Sequence, residues 1–261
     1  MPYETLTVSR EEGVAVVTLN RPAALNALNN QLREDLAAAL AELRWDDSVQ
    51  ALVLTGGEGR AFSSGLDLVE FSALRQARSL VAIRRERWQA AVPLDTFDKP
   101  KIAAVNGLAI GGGVELALLC DIVIASTRAS FAFAEVSRGV IPGNGGTQRL
   151  SRRVGLGRAL DIILSARTVS AEQALDYGLV EQLAEPEALM PTALAYARSI
   201  ARHAPVAVRL ARSAIYRGYD LPLEAGLGLE ADMASLAYGT EDAQEGPRAF
   251  VEKRPPKWRG C

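Results

Sequence analysis

The feature that most constrains this chain is the run IAAVNGLAIGGGVELALLCDIVIA, residues 102–125. It is long enough to cross a bilayer. It also carries Asn106, Glu115, Asp121 and three consecutive glycines. Each charge at membrane depth costs roughly 3 kcal/mol, so a membrane span is a poor solution. A buried strand, a glycine turn, a helix and a second buried strand accommodate the same residues. The pattern demands a protein interior around it, and 261 residues with 49% hydrophobic side chains can supply one.

The flanking segments fit an α/β chain. The β-branched runs 6–8 and 14–19, split by Glu11-Glu12-Gly13, read as a hairpin. Asn29 or Asn30 is placed to cap a helix running to about Trp45, with Leu32, Leu36, Leu40 and Leu43 on one face. Residues 51–55 form a short buried strand that ends in a glycine loop, and 102–105 and 122–125 are two more strands. A charged helix is expected from Arg75 to about Ala91, with Val81 and Trp88 on one side. From about Ala171 the chain is nearly all helix, over 187–203, 206–216, 223–238 and 241–251, with a strand near 180–183. Pro205 and Pro222 sit where helices start. We divide the chain into an α/β core, 1–200, and a C-terminal helical region, 201–261, whose amphipathic helices pack on the core or on another subunit.

Several chemistries are excluded early. His203 is the only histidine, at a helix end, and Cys120 and Cys261 are far apart, so no metal-ligand spacing exists. The same lone histidine disfavours a Ser-His-Asp triad. Gly111-Gly112-Gly113 is followed by Val114-Glu115, so it lacks the Lys-Ser or Lys-Thr of a P-loop, and neither glycine cluster has dinucleotide-fingerprint spacing. A net charge of −2 argues against nucleic acid as a partner. Two unpaired cysteines suit a reducing cytoplasm. The opening residues Met1 to Thr5 have neither the basic nor the apolar region of a signal peptide.

The glycine run is informative about chemistry. Glycines before a helix allow a ligand to approach the backbone, and a helix N-terminus presents unpaired N–H groups with partial positive charge. Such donors can stabilise a developing oxyanion by roughly 3–4 kcal/mol each. Glu115 follows Gly112 by three residues, nearly one helical turn. Glu135 lies in the apolar stretch Phe133-Ala134-Glu135-Val136, where desolvation favours its protonated form. Two carboxyl groups in unlike surroundings can divide acid and base work.

Five runs, in order along nearly the whole chain, resemble the crotonase superfamily, also called the enoyl-CoA hydratase/isomerase family. They are Leu19-Asn20-Arg21-Pro22 with Leu25-Asn26-Ala27-Leu28, then residues 61–68 (AFSSGLDL), 99–121, 141–150 (IPGNGGTQRL) and 249–254 (AFVEKR). The resemblance implies a spiral of repeated β-β-α turns with a C-terminal helical trimerisation region. It implies oxyanion donors at the backbone N–H of Leu66 and Gly112, and two carboxylates, Glu115 and Glu135, that share one water. Glu115 would activate that water for attack on C3 of an enoyl thioester, and Glu135 would give a proton to C2. The implied activity is enoyl-CoA hydration, with isomerisation, dehydration or thioester hydrolysis as alternatives in the same family. By resemblance, Ala24, Ala61, Ser63, Asp67 and Lys253 contact coenzyme A, the last from a neighbouring subunit. Phe71, Leu74, Trp88, Val140 and Ile141 line the acyl pocket. The substrate is an acyl-CoA thioester, CoA is part of it, and no prosthetic group is implied. Neither a nucleic acid nor a membrane is an expected partner, and the expected assembly is a homotrimer or a dimer of trimers. Leu66 stands where alanine is common, and Val69 and Ala23 stand where basic residues are common. The second and third departures bear on how CoA phosphates are held. Outside this family, Ser63 in Ala61-Phe62-Ser63-Ser64-Gly65 distantly resembles a hydrolase nucleophile, and a non-catalytic RNA-binding scaffold is the remaining alternative.

Overall fold

The computed structural model describes residues 3–77, 79, 81–82 and 94–261. It opens with the antiparallel hairpin of β1 (Leu6–Glu11) and β2 (Val14–Leu19), with Leu6 opposite Leu19. Glu12 and Gly13 both take positive φ at its turn, as a tight hairpin requires. The Asn29 side chain caps α1 (Asn30–Arg44) by accepting the Leu32 N–H at 3.0 Å. Leu32, Leu36, Leu40 and Leu43 are buried beneath it.

Two sheets organise the rest. The larger has the order β1-β2-β3-β5-β7-β10, with β3 (Ala51–Thr55), β5 (Lys101–Val105), β7 (Ile122–Ser126) and β10 (Gln182–Ala184) parallel to β2. The smaller has the order β4-β6-β8-β9, from β4 (Ala61–Ser63), β6 (Leu108–Ile110), β8 (Ser130–Ala132) and β9 (Thr168–Ser170). The pairs β3/β4, β5/β6 and β7/β8 each give one strand to each sheet. α2 (Leu68–Ala77) follows the first pair, α3 (Gly112–Leu118) the second and α4 (Gly146–Val154) the third. This repetition is a β-β-α spiral.

The larger sheet is covered on both faces, which explains why its central strands β3, β5 and β7 are buried almost throughout and apolar at all but Thr55, Lys101 and Ser126. Leu52, Leu54, Ala103, Val105, Val123 and Ala125 face the α1 leucines, Phe62 and Phe131. Val53, Ile102, Ala104 and Ile124 face Leu189, Ala193 and Ala197 of a later helix, α7 (Leu189–Ala201). Between α4 and α7 lie α5 (Leu156–Ser165) and α6 (Ala171–Asp176), and after α7 come α8 (Pro205–Gly218), α9 (Leu223–Tyr238) and α10 (Glu241–Val251). A half-buried Asp121 ties α8 to the sheet. It accepts the Lys101 N–H at 2.8 Å, the Arg212 Nε–H at 2.9 Å and the Tyr216 O–H at 2.8 Å. No helix among the described residues is long and apolar enough to cross a membrane.

The structure differs from the sequence expectation in three places. The strand expected near 180–183 starts at Gln182, because the Leu179 and Val180 N–H groups both turn back to the Ala174 carbonyl. The helix after β4 begins at Leu68, ahead of the expected Arg75, and most of the expected span to Ala91 lies outside the described residues, Trp88 included. The strands β4, β6, β8 and β9 are three residues each, too short to show a periodicity.

Candidate active site

β4, β6 and β8 run parallel and adjacent. Their carboxyl ends therefore deliver three segments to one place: Ser64 to Asp67, Gly111-Gly112 and Phe133 to Glu135. Leu28 fixes the first. Its N–H donates to the Gly65 carbonyl at 2.7 Å, and its carbonyl accepts the Asp67 N–H at 3.4 Å. The Leu66 N–H between them is left without an acceptor among the described residues, as is the Gly112 N–H at the first position of α3.

These two amides lie close together. A β-carbon on Gly65 would stand 2.8 Å from the Gly112 nitrogen, and one on Gly112 would stand 3.6 Å from the Leu66 nitrogen. Such proximity needs glycine on both sides, and Gly65 takes φ +81°. Gly113 has no room for a side chain at all, because a β-carbon there would stand 2.0 Å from the Ser63 carbonyl oxygen. Two unbonded N–H groups so near one another, one of them at a helix start, form a pair of donors for one small acceptor such as a carbonyl oxygen.

The two glutamates stand beside this pair in opposite states of solvation. Glu115 is buried on α3. Its Oε1 accepts the N–H groups of Asn144 at 2.7 Å and Gly146 at 2.9 Å, and its Oε2 accepts the Asn144 Nδ2–H at 3.1 Å. Glu135 is half-buried, and a β-carbon on Gly111 would come within 2.5 Å of its Oε1. Its Oε2 is buried with no hydrogen-bond partner among the described residues. Burial, reinforced by the nearby charge of Glu115, pushes the Glu135 carboxyl up to about 7. One carboxylate is thus solvated by protein N–H groups, and the other favours its proton. That is the division of labour a proton-in, proton-out reaction requires.

The remaining sequence candidates fall in varied places. Ala61 and Ser63 are fully buried, and the Ser63 hydroxyl donates to the Asn26 carbonyl at 2.8 Å and accepts the Gly65 N–H at 3.2 Å. Its side chain is therefore internal, which removes the basis for a serine nucleophile. The Ala24 carbonyl accepts the Ser64 hydroxyl at 3.3 Å. Asp67 pairs with Arg21 at 3.1 Å. Against the pull of burial, the Glu70 N–H and the Arg21 guanidinium hold its carboxyl below the ordinary value. Lys253 is exposed, with positive φ, just after α10. Phe71 and Leu74 are half-buried, whereas Val140 and Ile141 are exposed. A cavity of about 30 Å³ borders Gly112 and Glu115, and its other walls are Leu28, Leu32, Leu36, Leu94, Leu116 and Leu119, with Arg33 and Asn144. From sequence, the α1 leucines read only as a packing face. Asn144 carries no signal of its own in the sequence, although it sits inside the glycine-rich run 141–150.

A two-sheet β-β-α spiral with paired amides and two carboxyl groups at one strand edge defines a crotonase fold, and the comparisons agree. The chain belongs to the enoyl-CoA hydratase/isomerase family, whose model matches residues 9–261. It is 42% identical over 255 residues to the 2,3-dehydroadipyl-CoA hydratase of Escherichia coli K12, covering 98% of each chain. It is 41% identical over 256 residues to the short-chain-enoyl-CoA hydratase of Clostridium acetobutylicum, covering 97% of each. Among solved structures, an enoyl-CoA hydratase from Bacillus anthracis superposes with a TM-score of 0.93 at 36% identity, covering 99% of this chain and all of that one.

Proposed function

We propose that this chain is an enoyl-CoA hydratase, adding water across the 2,3 double bond of a 2-enoyl-CoA. The observation that carries the proposal is the pairing of an N–H-solvated Glu115 with a proton-retaining Glu135 beside two unbonded amides. In the reaction the thioester oxygen accepts the Leu66 and Gly112 N–H groups. Water oxygen bonds to C3 while Glu115 removes a water proton. The double-bond electrons move toward the thioester oxygen as an enolate, and Glu135 protonates C2. Glu115 is left holding the water proton and Glu135 without its own, and proton exchange with solvent restores both, so water and the thioester account for every atom and the step calls for no prosthetic group. Coenzyme A enters as part of the substrate.

The CoA moiety is assigned to Ala24, Ala61, Ser63 and Asp67, with Lys253 supplied by a neighbouring copy. Burial of Ala61 and Ser63 means that their contribution comes from the backbone. Phe71, Leu74, Trp88, Val140 and Ile141, together with the leucines of the cavity, are assigned to the acyl group. We further assign the chain to a homotrimer or a dimer of trimers, and residues 201–261 to the assembly region. Exposed Ile215, Leu223, Leu227, Leu236 and Tyr238 on α8 and α9 support this, since a set of apolar side chains this large usually marks an interface. We place it in the cytoplasm, where Cys120 and Cys261 stay reduced.

The test is loss of the conjugated enoyl thioester's absorbance with enoyl-CoAs of graded length and bulk. Glu115→Gln is expected to lower kcat at least about 10²-fold, the scale of a positioned acid or base. Near-normal turnover in that variant, or no hydration of any enoyl-CoA by the unaltered chain, would overturn the proposal. In the second case isomerase, dehydratase or thioester hydrolase assays identify the family reaction instead.

A further inference from the structure

A carboxylate offers about four lone-pair sites, and three of those on Glu115 are already filled. Both sites of Oε1 take backbone N–H groups, from Asn144 and Gly146. One site of Oε2 takes the Asn144 carboxamide N–H at 3.1 Å. Among the described residues nothing else donates to Glu115, so a single site on Oε2 remains. We propose that Asn144 is a positioning residue: by filling one site on each oxygen of Glu115 it fixes the orientation of that carboxyl group and leaves one place where a reacting water can bind. The proposal rests on the hydratase reading of the same site and adds to it which residue fixes the base.

Asn144 is itself firmly held. Its carbonyl accepts the Arg149 Nη1–H at 3.0 Å, and Arg149 Nη2 pairs with Asp95 at 2.7 Å. The Arg149 guanidinium lies against Gly145, where φ is +98° and any side chain would collide with it. The following helix starts at Gly146, so both backbone donors to Glu115 come from one turn held at both ends. Asn144 and Glu115 also line the same cavity as the Gly112 backbone.

The consequence reaches Glu135. The charge of Glu115 adds to the burial that keeps the Glu135 proton in place. The other charged groups near the pair are Arg33, on the wall of the same cavity, Arg138, whose charge acts on Glu135, and Arg149 behind Asn144. Asn144 is the side chain among these that donates directly to the Glu115 carboxylate.

The experiment measures kcat and KM for Asn144→Ala, Asn144→Ser and Asn144→Asp, with far-UV circular dichroism as the control for folding. Removing a hydrogen bond to a charged group in Asn144→Ala is expected to lower kcat about tenfold and to change KM by less than about twofold. Asn144→Asp replaces the donor by an acceptor facing Glu115 and lowers kcat further. Asn144→Ser, which keeps a donor on a shorter side chain, recovers part of the loss and serves as the test if the alanine variant does not fold. A kcat left unchanged in folded Asn144→Ala and Asn144→Ser, or an effect on KM alone, overturns the proposal. An unaltered chain without hydratase activity removes instead the reading on which it rests.

Discussion

Replacing Glu135 by glutamine should make the protein more stable and less active, and the two effects should have a common origin. The carboxyl is pushed from 4.5 to about 7 mainly by burial. One pKa unit corresponds to about 1.4 kcal/mol, so ionising the group in the folded chain costs about 3 kcal/mol relative to the unfolded chain. Partial solvent contact of the side chain screens this toward about 2 kcal/mol. The sign follows from the direction of the shift. Below 4.5 both states hold the proton and the cost is absent; it grows between 4.5 and about 7, and above that it is complete. Glutamine, always neutral, escapes it. Urea unfolding at about pH 8 should therefore show Glu135→Gln more stable by about 2 kcal/mol, and at about pH 4.5 the two curves should nearly coincide. The same variant loses the acid that protonates C2, so its hydration kcat should fall at least about 10²-fold. Equal stability at both pH values would show that burial does not hold the proton on Glu135. Full activity would show that this proton is not used.

Three other outcomes follow from the same geometry. Hydration by the unaltered chain should decline as pH rises through about 7, because Glu135 must be protonated to act; a rate that rises across that range in a pH–kcat profile would contradict its role as the acid. Gly113→Ala should destabilise by about 1–3 kcal/mol and reduce activity, because its new methyl group meets the Ser63 carbonyl and displaces the end of β4, from which the Leu66 segment continues; unfolding and kcat measured together check this. Asp121→Ala leaves the Arg212 guanidinium without its counter-charge and should cost about 3 kcal/mol, read in a denaturant titration.

The elements with strong local signals were legible before the structure. The Asn29 cap and its leucine stripe, the strand 51–55 and the helices over 223–238 and 241–251 all depend on nearby residues, and the structure has them at those places. The glycine run with Glu115, and Glu135 in its apolar setting, point to backbone donors at a helix start and to two carboxyl groups from chemistry alone, whereas Leu66 as the second donor is implied by the family resemblance. What was not legible depends on long-range pairing. β4, β6 and β8 are too short to read, yet their parallel register is what gathers Leu66, Gly112 and Glu135. Leu28 reads as part of a sequence motif, and only its bridge to Gly65 and Asp67 explains why the Leu66 amide is unbonded. The hydrogen bonds from Asn144 cross 29 positions of chain to reach Glu115, a distance over which no local pattern speaks. Arg149 looks like one of several solvated arginines in the sequence, whereas it braces the turn behind the base.

The central claim is that the Leu66 and Gly112 amides share one thioester oxygen with the two glutamates at the adjoining carbons. A crystal structure with a saturated, unreactive acyl-CoA tests this most directly. The thioester oxygen is expected at about 2.7–3.1 Å from both nitrogens, with C2 and C3 facing Glu135 and Glu115. A thioester bound with its oxygen out of reach of either amide, or with both carboxyl groups remote from C2 and C3, would contradict it.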